Sequence, residues 1–225
     1  MLYLYAITDP RSRLPAIAGL RGAEVRPVPI GGLSAAVSEH ESIEVATDED
    51  DLWAHEQVVE GLMADGPVLP MRLGSVLPDE ASVLAAVGAR EAELVETLAR
   101  IEGAVELGVR AAIDPAAMEP EESDDARQEL GPGAEYMHAR LTRERRADEV
   151  AETIHRPLAE LARESARRRH FGEDLVFNGA YLVDVGAVDR FRAEVEELDA
   201  AIGAASIVCT GPWPAYTFSS RREES

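Results

Sequence analysis

The sequence predicts an α+β protein of two domains, and three patterns carry that prediction. Short runs of branched and aromatic residues alternate with longer segments whose apolar residues recur at helical spacing. The runs are joined by the two-residue links that antiparallel hairpins use, Gly31-Gly32 and Asn178-Gly179. From Gly103 onward the order reads strand, helix, strand, strand, helix, strand, which is the order of a ferredoxin-like unit with two helices on one face of an antiparallel sheet. The boundaries follow from this punctuation: an N-terminal α+β domain over 1–102 and a ferredoxin-like C-terminal domain over 103–225. At 225 residues the chain can give each a core of its own.

Leu2-Tyr3-Leu4-Tyr5-Ala6-Ile7, closed by Asp9-Pro10, reads as a buried first strand. Between Glu24 and Ser38 two apolar arms flank Gly31-Gly32, a hairpin whose first arm must lie at a sheet edge because Pro27 and Pro29 cannot donate to a ladder. A helix is expected from Thr47, with Asp48, Glu49, Asp50 and Asp51 at the positive end of its dipole and Leu52, Val59, Leu62 and Met63 on one face. Gly66-Pro67 stops it. Val68 to Leu77 reads as one strand, and from Asp79 a single helix carries Leu84, Val87, Leu94, Leu98 and Ile101 to Gly103.

Val105, Leu107, Val109 and Ala111 alternate with Glu106, Gly108 and Arg110, the period of a half-buried strand. The segment 114–133 is acidic and poor in large apolar groups, and is expected to be a linker loop. An Arg/Glu-rich helix spans 134–170 with Tyr136, Leu141, Val150, Ile154, Leu158 and Leu161 inward and a kink or break at Pro157. Two strands meeting at Asn178-Gly179 follow. The next helix has the cleanest spacing in the chain, Val188, Phe191, Val195, Leu198 and Ile202, with Gly203 as its cap and a last buried strand at 205–210.

Composition removes several classes of function. The net charge is −21, from 43 carboxylates against 22 basic residues, all of them Arg. A field of that sign repels phosphate backbones and anionic head groups, so neither nucleic acid nor a membrane surface is expected as partner. One cysteine, Cys209, cannot close an intrachain disulfide, and it sits in an apolar run where a thiolate is not favoured. The N-terminus lacks the basic-then-apolar form of a secretion signal, and the cytoplasm is the expected location.

No constellation for bond-making is found. His55-Glu56 would open a zinc-protease helix motif, but position 59 is Val where a second histidine is required. His55 borders the apolar stripe, where a hydrogen-bonded packing role is the common one; His40, His138, His155 and His170 have no ligand spacing. No glycine-rich phosphate loop is present, so no cofactor or metal is expected. Arg72, in an otherwise apolar strand, calls for a carboxylate partner, with Glu56, Glu60 and Glu106 as candidates, unless it lies at a sheet edge in water. Trp213-Pro214-Ala215-Tyr216-Thr217-Phe218 holds three aromatics in a stiff run. Such a run suits a contact with another protein, or closure of the core. Trp213, Pro214, Tyr216 and Phe218, with Arg72 and His55, are therefore the candidate protein-contact residues.

These residues carry a resemblance. Tyr3-Leu4-Tyr5, Ala35-Ala36-Val37, His55-Glu56-Gln57-Val58-Val59, Val68-Leu69-Pro70-Met71-Arg72-Leu73-Gly74-Ser75-Val76, Val105-Glu106-Leu107-Gly108-Val109, Phe177-Asn178-Gly179-Ala180-Tyr181-Leu182-Val183 and Thr210 through Phe218 occur in that order along nearly the whole chain. Together they are similar to the gas vesicle protein family GvpL/GvpF. The resemblance implies an accessory protein of gas vesicle formation, two α+β domains, interaction with the small hydrophobic shell protein GvpA, and no enzymatic activity. The rival class is a small-ligand binder or oxygenase-like enzyme of the dimeric α+β barrel type, which would need a pocket with converging polar groups.

Overall fold

The computed structural model describes residues 1–42, 49–113, 132–167, 175–203 and 205–219. They form a mixed α+β protein with two antiparallel sheets and, among the described residues, five helices. The strands are β1 (Leu2–Thr8), β2 (Val25–Ile30), β3 (Leu33–Glu39), β4 (Val68–Pro70), β5 (Val76–Leu77), β6 (Ala104–Ile113), β7 (Glu164–Arg167), β8 (Leu175–Asp184) and β9 (Ala205–Trp213). The helices are α1 (Glu49–Met63), α2 (Glu80–Gly88), α3 (Glu91–Ile101), α4 (Pro132–Glu160) and α5 (Val188–Ile202). The chain falls into two compact units, Met1–Glu106 with Pro212–Ser225, and Leu107–Gly211.

In the first unit the sheet runs β2-β3-β1-β4, with β5 also on β1. All seven residues of β1 are buried, as its composition requires. The β2-β3 hairpin turns through Gly31-Gly32 with Ile30 opposite Leu33, and Gly31 takes φ +57, a conformation glycine adopts without a Cβ penalty. Tyr5 is the extra residue of a β-bulge between the Leu4/Val37 and Ala6/Ala36 pairs. Tyr3 and Tyr5 pack with Val58, Val59 and Leu62 of α1, giving this unit a core on the α1 side of the sheet.

In the second unit the order is β6, α4, β7, β8, α5, β9, and the sheet runs β7-β8-β6-β9. Ile154 and Leu158 of α4 and Phe191 and Val195 of α5 pack against Leu107, Val109, Phe177, Tyr181 and Ile207. The left-handed Gly203 ends α5 as expected, its N–H donating to the Asp199 carbonyl.

The structure departs from the sequence reading in several places. The expected 68–77 strand is two short strands on the same edge of β1, separated by a loop at 71–75 in which Gly74 has φ +88. The expected single helix from Asp79 is broken at Ala89-Arg90, and Arg90 binds Glu93 of the next helix at 2.8 Å. On α1 the buried residues are Asp51, His55, Val58, Val59 and Leu62, whereas Leu52 faces outward. Pro157 lies within α4, three residues before its end at Glu160, and does not end it. The linker expected to end at 133 is already helical from Pro132, and its residues 114–131 lie outside the described ones, as do Thr47 and Asp48.

Asn178-Gly179 does not turn. It lies inside β8, with Gly179 paired to Arg167 of β7, and the hairpin joins β7 to β8 instead. A Cβ on Gly179 would stand 2.7 Å from Phe177 Cζ and 3.0 Å from Tyr181 Cε2, so the glycine serves to let two core rings close over the strand. Finally, the stretch from Pro212, assigned by the sequence to the second domain, belongs to the first unit.

Candidate functional site

That C-terminal stretch carries most of the candidate contact residues. The prolines set its direction, and a tight turn follows in which Tyr216 N donates to the Pro214 carbonyl at 2.7 Å and Phe218 N to the Ala215 carbonyl at 3.1 Å. Three anchors then tie it to the rest of the first unit. The Tyr216 hydroxyl donates to Glu56 Oε1 of α1 at 2.8 Å. Glu106 accepts from Thr217 twice, from the backbone N at 2.7 Å and from Oγ1 at 2.6 Å. Arg100 Nη2 donates to the Phe218 carbonyl at 2.7 Å. Burial, and next the bond to Glu56, raise the Tyr216 pKa, and burial raises that of Glu56. The Tyr216 hydroxyl therefore keeps its proton at neutral pH and donates it to the Glu56 carboxyl oxygen.

Exposure divides the candidates. Phe218 is 2% exposed and Pro214 is buried. Tyr216 is half-buried and engaged by Glu56. Trp213 is 42% exposed and is the side chain of this run that faces solvent.

His55 is buried as well. It is 1% exposed, and its ring stacks on Tyr5 with centroids 5.8 Å apart. Its Nε2 lies 3.1 Å from the Met71 carbonyl, which can only accept, so Nε2 carries the proton. Nδ1 then accepts from the Tyr3 hydroxyl at 2.8 Å, and Tyr3 Oη in turn accepts from Gly74 N at 3.3 Å. Every polar atom of this chain of bonds is used, and the loop between β4 and β5 is fastened to the core by it. Burial holds the His55 pKa down to about 4, the Met71 bond opposing, and burial pushes Tyr3 up to about 12. His55 is thus buried and hydrogen-bonded through both ring nitrogens.

Arg72 stands in that loop, exposed, and not in a strand. Glu56 and Glu106, two of its three proposed partners, are occupied by Tyr216 and Thr217. The sequence reading also missed Trp53, which at 67% is the most exposed large apolar side chain described, with Leu52 beside it at 46%. The signal was available: once Asp51 and His55 take buried positions, helical spacing turns Leu52 and Trp53 outward.

A cleft of about 360 Å³ in the first unit is lined by Asp9, Arg11, Ser12, Leu33, Asp65 and Glu102 among others. Its polar groups largely satisfy one another or the backbone, with Arg11 Nε 3.0 Å from Asp9 and Arg13 N donating to Asp65 at 2.7 Å. Among the described residues no group of three or more His, Cys, Asp or Glu could hold a metal ion, and no helix is long and apolar enough to cross a membrane.

Comparison with known proteins adds to this geometry. The family described as gas vesicle synthesis protein GvpL/GvpF matches residues 1–220. Gas vesicle protein F1 of Halobacterium salinarum is 30% identical over 222 residues, covering 96% of this chain and 92% of that protein. Gas vesicle protein L of a Streptomyces species is 31% identical over 191 residues, covering 78% of this chain and 71% of that one. The fold is shared with crystal structures of the gas vesicle protein GvpF from an Anabaena species, with TM-score 0.84, 23% identity and 99% and 97% of the two chains covered, and from Microcystis aeruginosa, with TM-score 0.84, 24% identity and 98% and 99% covered.

Proposed function

Since this chain belongs to the gas vesicle GvpL/GvpF family, we propose that it is an accessory or minor structural protein of gas vesicle assembly that binds the hydrophobic shell protein GvpA and other gas vesicle proteins, in a chaperone-like or nucleating role. The observation that carries the contact is the C-terminal run of the first unit. Three sets of hydrogen bonds fix its backbone and side chains, and Trp213 is held out into solvent. A pre-fixed aromatic loses little freedom on binding, which is the property of an interface anchor. The charge of −21 supplies the other half: an apolar shell subunit carried on so acidic a protein is kept from its neighbours by repulsion.

The strand and helix order of the second unit, with its sheet order β7-β8-β6-β9, supports a ferredoxin-like domain. The expected location is the cytoplasm and the gas vesicle. The test is capture of purified GvpA by the wild type, by Trp213→Ala and by a variant with neutralised surface carboxylates. Capture unchanged in both variants would remove the proposed contact.

A further inference from the structure

We propose that the outward face of α1 at Trp53 and the C-terminal run at Trp213 form one docking surface, and that its ligand is a basic amphipathic helix of a partner polypeptide. The proposal rests on reading this protein as a polypeptide binder, but not on the partner being GvpA. The juxtaposition comes from one hydrogen bond: Tyr216, three residues after Trp213, binds Glu56, three residues after Trp53. Positions 53, 56, 57 and 60 share a face of α1 at helical spacing. Trp53, Gln57 and Glu60 on it are exposed and Glu56 is half-buried, while the opposite face carries the buried Asp51, His55, Val58, Val59 and Leu62.

Charge selects the ligand. α1 reads Glu-Asp-Asp-Leu-Trp-Ala-His-Glu-Gln-Val-Val-Glu-Gly-Leu-Met and contains no Arg or Lys, so the indole of Trp53 and the neighbouring Leu52 are flanked by Glu49, Asp50, Glu56 and Glu60. An apolar and aromatic stripe bordered by carboxylates complements an apolar stripe bordered by Arg or Lys, and an indole face also attracts those cations directly. Secondary structure selects the shape. α1 presents no strand edge, and of this surface only Trp213, the last residue of the edge strand β9, belongs to one, so recognition across the whole surface must come from side chains as a helix offers them.

Trp53 and Trp213 are the two tryptophans of the chain, so emission excited selectively in tryptophan reads this surface alone. The experiment titrates full-length Trp53→Phe and Trp213→Phe, each with one remaining indole, with a synthetic Leu/Arg amphipathic helix of about five turns. The expected result is a blue shift of emission in both variants. Trp53→Ala should weaken binding about tenfold, and Glu196→Gln, on the exposed side of α5 in the second unit, should leave it unchanged. The proposal is overturned if only one indole responds, or if the same residues shuffled to destroy the apolar stripe, or set in strand alternation, bind as tightly. It is overturned equally if Leu/Glu replaces Leu/Arg without loss. Failure of GvpA capture with the peptide response intact removes only the named shell protein, and the reverse result removes only this surface.

Discussion

Acid should loosen the first unit through His55, and the amount can be worked from its surroundings. The imidazole is 1% exposed with both nitrogens bonded, and its pKa is held down to about 4 from the ordinary 6.5. Protonation would place a charge in the core and convert Nδ1 from acceptor to donor against a Tyr3 hydroxyl that already donates to it. The unfolded chain binds this proton more readily than the folded one, so stability rises with pH. The loss begins as pH falls through about 6.5 and is complete below about 4. The full span corresponds to roughly 3 kcal/mol, and the step from pH 7 to pH 5 to about 2 kcal/mol. Urea unfolding followed by tryptophan emission reports on the first unit, which holds both indoles. His55→Gln keeps a donor and an acceptor but cannot charge, so its loss between pH 7 and pH 5 should be smaller than that of the wild type by about 2 kcal/mol. His40, His155 and the carboxylates are common to both proteins and cancel. Equal losses in the two would refute the argument.

Other substitutions test the remaining anchors. Tyr216→Phe removes the donor to the half-buried Glu56 and should cost about 1–3 kcal/mol in the same urea assay, with most of that cost absent when Glu56→Gln is already in place. Gly179→Ala puts a Cβ 2.7 Å from the Phe177 ring in the core of the second unit and should destabilise it by about 1–3 kcal/mol, seen as a lowered melting temperature by near-ultraviolet dichroism. Gly31→Ala meets a positive φ of +57 and the Glu91 carboxylate, which accepts from Gly32 N at 2.7 Å; thermal unfolding should show a loss of about 1–2 kcal/mol. Trp213→Ala should change urea stability by less than about 0.5 kcal/mol, since the side chain faces solvent, while reducing GvpA capture.

Elements whose residues speak locally were legible before any coordinates. The Val188 to Ile202 spacing, the Gly203 cap and the Gly31-Gly32 hairpin are each fixed by neighbours in sequence, and each is found. Legibility failed where a distant group decided. Asn178-Gly179 has the chemistry of a turn, but the rings of Phe177 and Tyr181 need the space a glycine leaves, and the strand runs on. β7 is Glu-Ser-Ala-Arg, with no apolar period to betray it, and exists because β8 offers it an edge. The break in the 68–77 strand is set by His55 and Tyr3 fastening the loop, partners 16 and 71 residues away from the atoms they hold. The candidate site was half legible: its stiffness shows in the prolines, but which aromatic points outward depends on Glu56, Glu106 and Arg100.

The return of residues from Pro212 onward to the first unit has a consequence for synthesis. A ribosome delivers Leu107–Gly211 before the final anchors of the earlier unit exist, so the later-encoded unit can finish folding while the earlier-encoded one still waits. Until Thr217 emerges, the Glu106 carboxylate lacks the two donors that receive it in the finished protein. A nascent chain stalled short of that residue carries an incomplete amino-terminal half however much time it is given, and premature termination near the end of the message damages the beginning of the protein.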